Sequence, residues 1–301
     1  MNTQHTLIML KPNNFGYNLE TKNTNSFQNN IQESEEIIHE KALAEFNSMV
    51  TILQENKLDV TIFNDKTEKL PDSIFMNNWI SIFPDGKLIT YPISSTIRRK
   101  EKRSDLVNII IENFDITEYI DLSDYENNNQ YLEGTGSVVF DYENKIAYAC
   151  LSSRTNETVF NDLCKKIGYK GFVFNAENLK GETIYHTNVM MSITRNFVII
   201  CLESISDPLE RSIIKSSLKQ SGKEIIEINF SQLNNFSAIS LEVLNKNNQS
   251  LFIVSHTAES SFTEAQKNII TKKSKIVTVN IPIIERVGGG SARCMLTVVN
   301  C

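Results

Sequence analysis

Hydrophobic and polar positions along the chain follow two patterns, one typical of helices and one typical of strands. In residues 42–56, for example, apolar side chains recur every three or four positions at Leu43, Phe46, Met49 and Leu53. This spacing places them on one face of an amphipathic helix. By the same pattern, further helices are predicted at residues 98–113, 157–167, 208–220 and 262–273.

Short apolar runs lie between the helical segments and predict β-strands. Two pairs of runs are joined by Tyr-Glu-Asn-Lys after residue 141 and by Thr-Arg-Asn after residue 193, which predicts two hairpins. The predicted strands are residues 59–63, 88–92, 137–141, 146–151, 171–175, 188–193, 197–202, 224–229, 251–255, 276–280 and 295–299.

The predicted elements follow the order hairpin, helix, strand, twice with similar lengths and a third time more loosely. Repetition of this kind predicts a pseudo-symmetric α/β fold and not a doubly wound sheet. No low-complexity linker interrupts the pattern, so we expect one continuous domain, residues 1–301.

Composition and charge exclude several classes of protein. The chain is 41% hydrophobic and 22% charged, which is a globular composition. Its net charge of −6 argues against a nucleic-acid partner, because phosphate binding needs a basic face. No run approaches the ~20 apolar residues that span a bilayer, and the N-terminus lacks a secretory pattern. Five scattered cysteines indicate neither a disulfide framework nor a zinc site, so we expect a cytoplasmic protein.

Four loops combine glycine or proline with polar side chains at strand ends, where active sites tend to lie. They are residues 77–86, 132–137, 185–188 and 288–295. In the last loop, three glycines allow backbone N–H groups to approach a ligand, and Cys294 follows shortly after them. A free thiol has a pKa near ~8.5, so a reactive cysteine needs electropositive surroundings. The alternative is a tight turn with a buried, inert cysteine.

Two further loops carry groups that could assist a nucleophile. His186 precedes a predicted strand and is a candidate general acid or base, and the Glu133 carboxylate could orient it. Alternatively, His186 is a hydrogen-bonded core histidine and Glu133 an ordinary turn residue. The remaining cysteines lie in apolar patterns or at the terminus, and no chemical role is expected for them: Cys150, Cys164, Cys201 and Cys301.

Taken in order, these loops resemble those of the guanidino-group-modifying enzyme superfamily, which contains arginine deiminases, dimethylarginine hydrolases and amidinotransferases. The matching pieces begin with Lys-Pro-Asn-Asn-Phe-Gly-Tyr-Asn-Leu-Glu-Thr at residue 11 and end with Gly-Gly-Gly-Ser-Ala-Arg-Cys294-Met. Between them lie Asn-Asn-Trp79, Leu-Glu133-Gly-Thr-Gly-Ser, Leu-Ser-Ser-Arg154-Thr-Asn and Tyr-His186-Thr-Asn-Val. The chain is most similar to amidinotransferase-like proteins linked with citrulline utilisation.

This resemblance implies a pseudo-five-fold α/β propeller of ββαβ units with the active site on its axis. It implies that Cys294 is the nucleophile, His186 the proton shuttle and Glu133 its acidic partner. Arg154 matches an arginine that holds the substrate α-carboxylate, and Arg99 is a second match, with Arg98 as the alternative. A guanidinium suits this task because it pairs bidentately with a carboxylate. The implied reaction proceeds through an S-linked amidino or carbamoyl intermediate and needs no cofactor.

One departure from the deiminase pattern bears on the substrate. Deiminases carry a guanidinium-clamping aspartate two residues after the histidine, where this chain has Asn188, and Trp79-Ile-Ser-Ile82 replaces a Trp-x-x-Asp of several relatives. A charged hydrogen bond contributes ~1.5–3 kcal/mol, so the loss of two carboxylates weakens guanidinium selection. Asparagine offers a donor and an acceptor to a neutral ureido group. We therefore expect hydrolysis of citrulline to ornithine, with Asn78 and Asp85 as further polar contacts.

Other functions stay open at this stage. Among enzymes they are a dimethylarginine hydrolase, an arginine deiminase and an amidinotransferase with an amine acceptor. A non-catalytic amino-acid-binding protein would be expected to lack the cysteine, histidine or glutamate, and all three are present. A metal hydrolase would need a cluster of ligands that the sequence does not offer. A small amino acid is the expected ligand, and a homo-oligomer is a further expectation from the resemblance.

Overall fold

The computed structural model describes residues 4–66 and 70–300, and its strands form five sheets with the same pairing pattern. In each of five three-stranded sheets, the central strand pairs antiparallel with one neighbour and parallel with the other. The strands are β1 (His5–Lys11), β2 (Asp59–Asn64), β3 (Ile80–Ile82), β4 (Lys87–Thr90), β5 (Glu118–Asp121), β6 (Val139–Asp141), β7 (Ile146–Cys150), β8 (Lys170–Phe174), β9 (Met191–Ile193), β10 (Phe197–Ile200), β11 (Glu224–Glu227), β12 (Leu241–Leu244), β13 (Ser250–Ser255), β14 (Lys275–Val279) and β15 (Thr297–Asn300).

The sheets are β15-β1-β2, β3-β4-β5, β6-β7-β8, β9-β10-β11 and β12-β13-β14. The first sheet therefore joins strands from the two ends of the described chain. In the third and fourth sheets, the predicted order of hairpin, helix and parallel strand is confirmed. The result is a mixed α/β fold built from small sheets.

Helices connect the strands and supply much of the buried surface. The α-helices are α1 (Glu35–Glu55), α2 (Thr96–Arg99), α3 (Ser104–Asn113), α4 (Gly134–Ser137), α5 (Glu157–Ile167), α6 (Pro208–Gln220), α7 (Phe230–Asn234), α8 (His256–Ser261) and α9 (Glu264–Thr271). Short 3₁₀ helices occur at Met76–Asn78, Ser123–Asn128, Thr187–Val189, Leu202–Ser204 and Ala292–Met295, and a π-helical turn at Ile284–Gly288. No helix of the described residues is both long and apolar enough to cross a membrane.

Local signals set the limits of the best-predicted helices. The Asn156 side chain caps α5 by accepting hydrogen bonds from the first-turn N–H groups, and Gly168 ends the helix with a φ of 71°. The Asp207 side chain caps α6, and Pro208 occupies its first turn. Both helices begin and end at the predicted residues, 157–167 and 208–220.

Other predicted elements differ from the structure near the loops of interest. The single helix predicted at 98–113 is two helices, α2 and α3, because Arg98 turns inward to pair with Glu101 and the backbone of Arg103 is extended. The strand predicted from residue 137 begins at Val139, since Ser137 belongs to α4 and its hydroxyl donates to the Arg154 carbonyl. Strands β1, β3, β5 and β12 were not predicted. Cys301, for which no role is expected, lies outside the described residues.

Candidate active site

Glu133 is a buried carboxylate held by three separate donors. It lies directly before α4 and is 0% exposed. One oxygen, Oε1, accepts the backbone N–H of Ser94 at 3.0 Å. The other, Oε2, lies 2.8 Å from His186 Nε2 and 3.4 Å from Arg154 Nη1. Burial opposes ionisation, but Arg154 and His186 prevail and hold the pKa of Glu133 well below its usual range.

His186 is the second member of this buried pair. It precedes the 3₁₀ turn Thr187–Val189 and is 4% exposed. Burial lowers the pKa of His186, although the Glu133 carboxylate opposes the shift. The neutral imidazole therefore carries its proton on Nε2, facing Glu133, and leaves Nδ1 as a base. The sequence-based pairing of Glu133 with His186 agrees with this geometry.

Gly136 in α4 makes room for two side chains of the site. A Cβ atom at this position would lie 2.5 Å from Asn78 Nδ2 and 2.7 Å from His186 Nδ1. Only glycine lets the helix approach both side chains this closely. The Asn78 amide and His186 Nδ1 therefore both pack against the backbone of Gly136.

Cys294 lies in the 3₁₀ turn Ala292–Met295 and is 7% exposed. Its Sγ atom lies 3.6 Å from Asn188 Nδ2, so the nucleophile candidate and the amide two residues after His186 are in contact. Burial raises the pKa of the Cys294 thiol, and the Ser291 backbone, the charge of Arg293 and the Asn188 amide offset part of the shift. The resting thiol is thus protonated near neutral pH and needs a base or a cation to react.

The three glycines before Cys294 mainly allow close packing, whereas the sequence predicts that they bring N–H groups close to a ligand. Only Gly289 among them has a positive φ, 65°. Cβ atoms on Gly288 and Gly290 would lie 2.7 Å and 2.8 Å from the Phe75 ring. The loop therefore folds tightly against Phe75, and this packing fixes the position of the turn that carries Cys294.

Asn78, Arg98 and Asp72 form a second polar group beside the pair. Asn78 Oδ1 accepts Arg98 Nη1 at 2.9 Å, and Arg98 also pairs with Glu101 at 3.0 Å. Asp72 Oδ2 accepts Asn18 Nδ2 at 2.8 Å and lies 3.8 Å from Arg98. Within the described residues, Asn78 Nδ2 and Asp72 Oδ1 are buried without a hydrogen-bond partner. Such atoms are expected at a ligand site, because an unpaired buried polar group is costly.

Asp72 is the residue that sequence reasoning missed. In the sequence, Asp72 is the single carboxylate in the mostly apolar segment that precedes Asn77 and Asn78. Arg98, named only as an alternative, is the arginine of the basic run that reaches the site, through its contact with Asn78.

Two predicted site residues lie apart from this group in the structure. Arg99 donates to the carbonyl groups of Ile93 and Ser94 and lies over the Tyr131 ring, so its guanidinium contacts neither Cys294 nor Asn78. Asp85 is exposed in the turn between β3 and β4, where it pairs with Lys87. Its Pro-Asp-Gly sequence is also typical of a hairpin turn.

Arg154 reaches the site, but its guanidinium contacts protein side chains, whereas the resemblance implies contact with a substrate α-carboxylate. Besides Glu133, its guanidinium donates to Thr24 Oγ1 at 2.5 Å and lies 5.0 Å above the Tyr185 ring. Thr24 belongs to the segment 18–28, whose Asn25 side chain donates to the Gly288 carbonyl at 3.2 Å. This segment thus contacts both Arg154 and the loop that carries Cys294. Among the described residues, no three His, Cys, Asp or Glu side chains lie together as a metal site would require.

Comparisons with known proteins identify the family and the fold of the chain. A sequence model of the eukaryotic N,N-dimethylarginine dimethylhydrolase family matches residues 11–300. No curated protein matches the chain. Among solved structures, ArgZ, an arginine dihydrolase from the ornithine–ammonia cycle in Cyanobacteria, is similar with a TM-score of 0.76 at 16% identity, over 99% of this chain and 41% of ArgZ. The chain therefore spans less than half of that protein.

Two smaller structures are matched over nearly their full length. The N-terminal domain of ArgZ with bound substrate has a TM-score of 0.75 at 16% identity, over 99% of this chain and 98% of the domain. A dimethylarginine dimethylaminohydrolase adduct has a TM-score of 0.68 at 16% identity, over 99% and 100%. The family match shows that the chain belongs to the N,N-dimethylarginine dimethylhydrolase family, whose members are hydrolases of guanidino C–N bonds within the guanidino-modifying superfamily, and the structural similarities show that it shares their fold.

Proposed function

We propose that this protein is a cysteine-dependent hydrolase that converts citrulline to ornithine. The observation that carries the proposal is the contact of Cys294 Sγ with the Asn188 amide at 3.6 Å. The turn that bears Cys294 also contacts the turn that bears Asn78. Amides therefore lie next to the nucleophile, while the Glu133 carboxylate is committed to His186 and Arg154.

The resting protonation states suggest how the reaction begins. His186 is neutral with Nδ1 free, and the Cys294 thiol is protonated. His186 takes the thiol proton as the sulfur attacks the ureido carbon, and the Glu133 carboxylate stabilises the imidazolium that forms. The same proton then passes to the departing ornithine nitrogen as the C–N bond breaks. A carbamoyl group remains on Cys294, and a water molecule deprotonated by His186 releases it as carbamate.

Substrate recognition is assigned from the free polar atoms. Asn78 Nδ2 and the Asn188 amide suit the neutral ureido group, since each offers hydrogen bonds without charge. Asp72 Oδ1, buried and free of a partner among the described residues, suits the substrate α-ammonium. We assign the α-carboxylate to Arg154, whose hydrogen bond to Thr24 would be exchanged for it. Arg99 and Asp85 have no role in this scheme.

Arginine is the second candidate substrate, and the protonated thiol favours it. A cationic guanidinium beside Cys294 would lower the pKa of the thiol, which burial otherwise raises. The similar protein ArgZ is an arginine dihydrolase. In this alternative the enzyme would release ornithine from arginine as well.

Product analysis separates these substrates. Citrulline, arginine and dimethylarginine are supplied separately to the purified protein, to Cys294→Ser and to Cys164→Ser as a control for a remote thiol. Ornithine from citrulline, absent only in Cys294→Ser, supports the proposal. Citrulline accumulating from arginine or dimethylarginine, with citrulline itself untouched, would replace it by deiminase or dimethylarginine hydrolase activity. Turnover that requires an added amine acceptor would indicate an amidinotransferase.

We also infer that the five sheets form one pseudo-five-fold propeller in a single domain. Contacts between β15 and β3, between β6 and β9, and between β9 and β12 join three of the five pairs of neighbouring sheets that a closed ring requires. The cytoplasmic setting rests on free cysteines at Cys150, Cys164, Cys201 and Cys294. A crystal structure tests the first inference, and light scattering tests the expected homo-oligomer.

A further inference from the structure

Ser291 contacts the candidate nucleophile through its backbone. It is the N-cap of the 3₁₀ helix Ala292–Met295, and its carbonyl accepts the Cys294 N–H at 2.8 Å. Cys294 is the third residue of this helix, the position from which a side chain reaches back to the N-cap N–H. Burial raises the pKa of the Cys294 thiol, and the Ser291 backbone opposes this shift. Since only an N–H among backbone groups can stabilise a thiolate, the Ser291 N–H supplies this effect.

The side chain of Ser291 is held by Glu285, six residues earlier in the chain. Ser291 Oγ donates a hydrogen bond of 2.6 Å to Glu285 Oε1, and this is as short as hydrogen bonds from a hydroxyl to a carboxylate usually are. Ser291 is 0% exposed and Glu285 2% exposed, so water does not compete for the contact. The hydrogen bond therefore closes the glycine loop, residues 288–290, directly before the turn that carries Cys294.

Glu285 is a firm anchor because its own backbone is fixed. It lies in the π-helical turn Ile284–Gly288, and its carbonyl accepts the Gly289 N–H at 2.9 Å. The Glu45 carboxylate, from α1, accepts the N–H groups of Ile283 and Ile284 at 2.9 Å and 3.0 Å. The start of the turn is thus tied to α1, and the Glu285 carboxylate projects from a backbone that is bonded on both sides.

Other contacts hold the earlier part of the same loop. Asn25 Nδ2 donates to the Gly288 carbonyl at 3.2 Å, and Tyr185 Oη donates to the Gly289 carbonyl at 3.0 Å. These two contacts remain when the Ser291 hydroxyl is removed. Loss of the hydroxyl should therefore loosen the backbone next to Cys294 and leave the rest of the loop in place.

We propose that Glu285 is a positioning residue for the nucleophile, which acts through Ser291 by holding the Ser291 backbone N–H against Cys294. Without the hydroxyl contact, the Ser291 N–H faces the sulfur for less of the time, so the thiolate loses part of a donor and the thiol becomes less acidic. The inference deepens the proposed hydrolysis and rests on the role of Cys294 in it, because it names the groups that keep the nucleophile reactive.

The pH profile of Cys294 alkylation by iodoacetamide tests the proposal without turnover, with the Cys294 peptide followed by mass spectrometry. In Ser291→Ala the profile should move up by about one pH unit, because a hydrogen bond to a charged group is weakened. The rate at neutral pH should fall only about three-fold, since the more basic thiolate is also the better nucleophile. Glu285→Met, which keeps the length of the side chain and removes the acceptor, should give the same shift.

Conservative variants and a matched control show whether the hydrogen bond itself is responsible. Glu285→Gln keeps an oxygen that accepts the hydroxyl and Ser291→Thr keeps the hydroxyl, so both should stay close to the wild-type profile. Ser217 is another buried serine, but its hydroxyl lies in α6, 2.8 Å from Tyr148 Oη, and Ser217→Ala should leave the profile unchanged.

A double variant separates positioning from general destabilisation. Ser291→Ala and Glu285→Met remove the two ends of one contact, so together they should shift the profile no further than either does alone, whereas independent defects would add. With citrulline, Ser291→Ala should lower kcat and leave KM near the wild-type value, since the reacting sulfur changes and substrate binding does not.

Three results would overturn the proposal. They are an unchanged alkylation profile in Ser291→Ala, additive shifts in the double variant, and a shift in Glu285→Gln as large as that in Glu285→Met. If Glu285→Met does not fold, the comparison of Ser291→Ala with Ser291→Thr decides instead. Should the wild type hydrolyse none of the candidate substrates, the proposed function fails, while the alkylation profiles still decide whether Glu285 positions Cys294.

Discussion

Replacing Gly136 with alanine perturbs the site by one methyl group. The new Cβ atom would lie 2.7 Å from His186 Nδ1 and 2.5 Å from Asn78 Nδ2. Ordinary contact needs about 3.5 Å, so the two side chains must move by roughly 0.8 Å and 1 Å. Neither is free to do so, because His186 is held by Glu133 at 2.8 Å and Asn78 by Arg98 at 2.9 Å.

The expected effect falls mainly on catalysis. A displacement of about 1 Å in a catalytic group costs on the order of 100-fold in rate, so we predict a fall of that size in kcat with citrulline. Overpacking costs about 1–3 kcal/mol, so the free energy of unfolding should fall modestly. Steady-state kinetics and urea denaturation measure the two effects separately.

A matched substitution controls for the loss of a glycine. A Cβ atom added at Gly16 would meet no heavy atom within 4 Å, and the φ of Gly16 is not positive, so Gly16→Ala should keep wild-type kcat and stability. A folded Gly136→Ala variant with kcat within about three-fold of the wild type would refute the placement of His186 against α4, since 1 Å shifts should cost far more.

Three further predictions follow from the buried charges. Glu133→Gln leaves the Arg154 guanidinium without a counter-charge and should destabilise the fold by about 3–5 kcal/mol in urea denaturation, with kcat reduced on the order of 100-fold. Burial raises the pKa of Cys294, so its alkylation rate should still rise with pH above the usual thiol range, and Arg293→Gln, which removes a favourable cation, should move that profile to higher pH. Burial raises the pKa of Glu285, so the contribution of Glu285 to the unfolding free energy should decline as pH rises above about 4.3, the usual glutamate pKa, and the unfolding free energy of the wild type should fall relative to that of Glu285→Gln over this range.

The sequence predicts the fold best where the signals are local. Helices α5 and α6 match the prediction because Asn156, Gly168, Asp207 and Pro208 encode their ends within a few residues. Strand limits are less predictable beside the site. Ser137, for example, has the pattern of a strand residue. Its hydroxyl donates a hydrogen bond to the distant carbonyl of Arg154, and no local sequence pattern encodes this contact.

The site shows the same division between local and long-range information. Cys294, His186 and Glu133 are predicted from ordered motifs, and in the structure His186 lies 2.8 Å from Glu133 while Cys294 contacts Asn188, two residues after His186. Arg98 and Arg99 are neighbours in sequence, and only tertiary contact with Asn78 distinguishes the one that reaches the site. Asp85 shows the converse difficulty, because a hairpin turn and a ligand loop use the same polar residues.

The central claim is that Cys294 carries the carbamoyl group during turnover of citrulline. Acid quenching of the enzyme during the first turnover, followed by digestion and mass spectrometry, tests it directly. The account predicts one carbamoyl group on the peptide that contains Cys294, formed before ornithine reaches its steady rate and absent in Cys294→Ser. Ornithine produced while Cys294 stays unmodified, or a carbamoyl group on another residue, would contradict it.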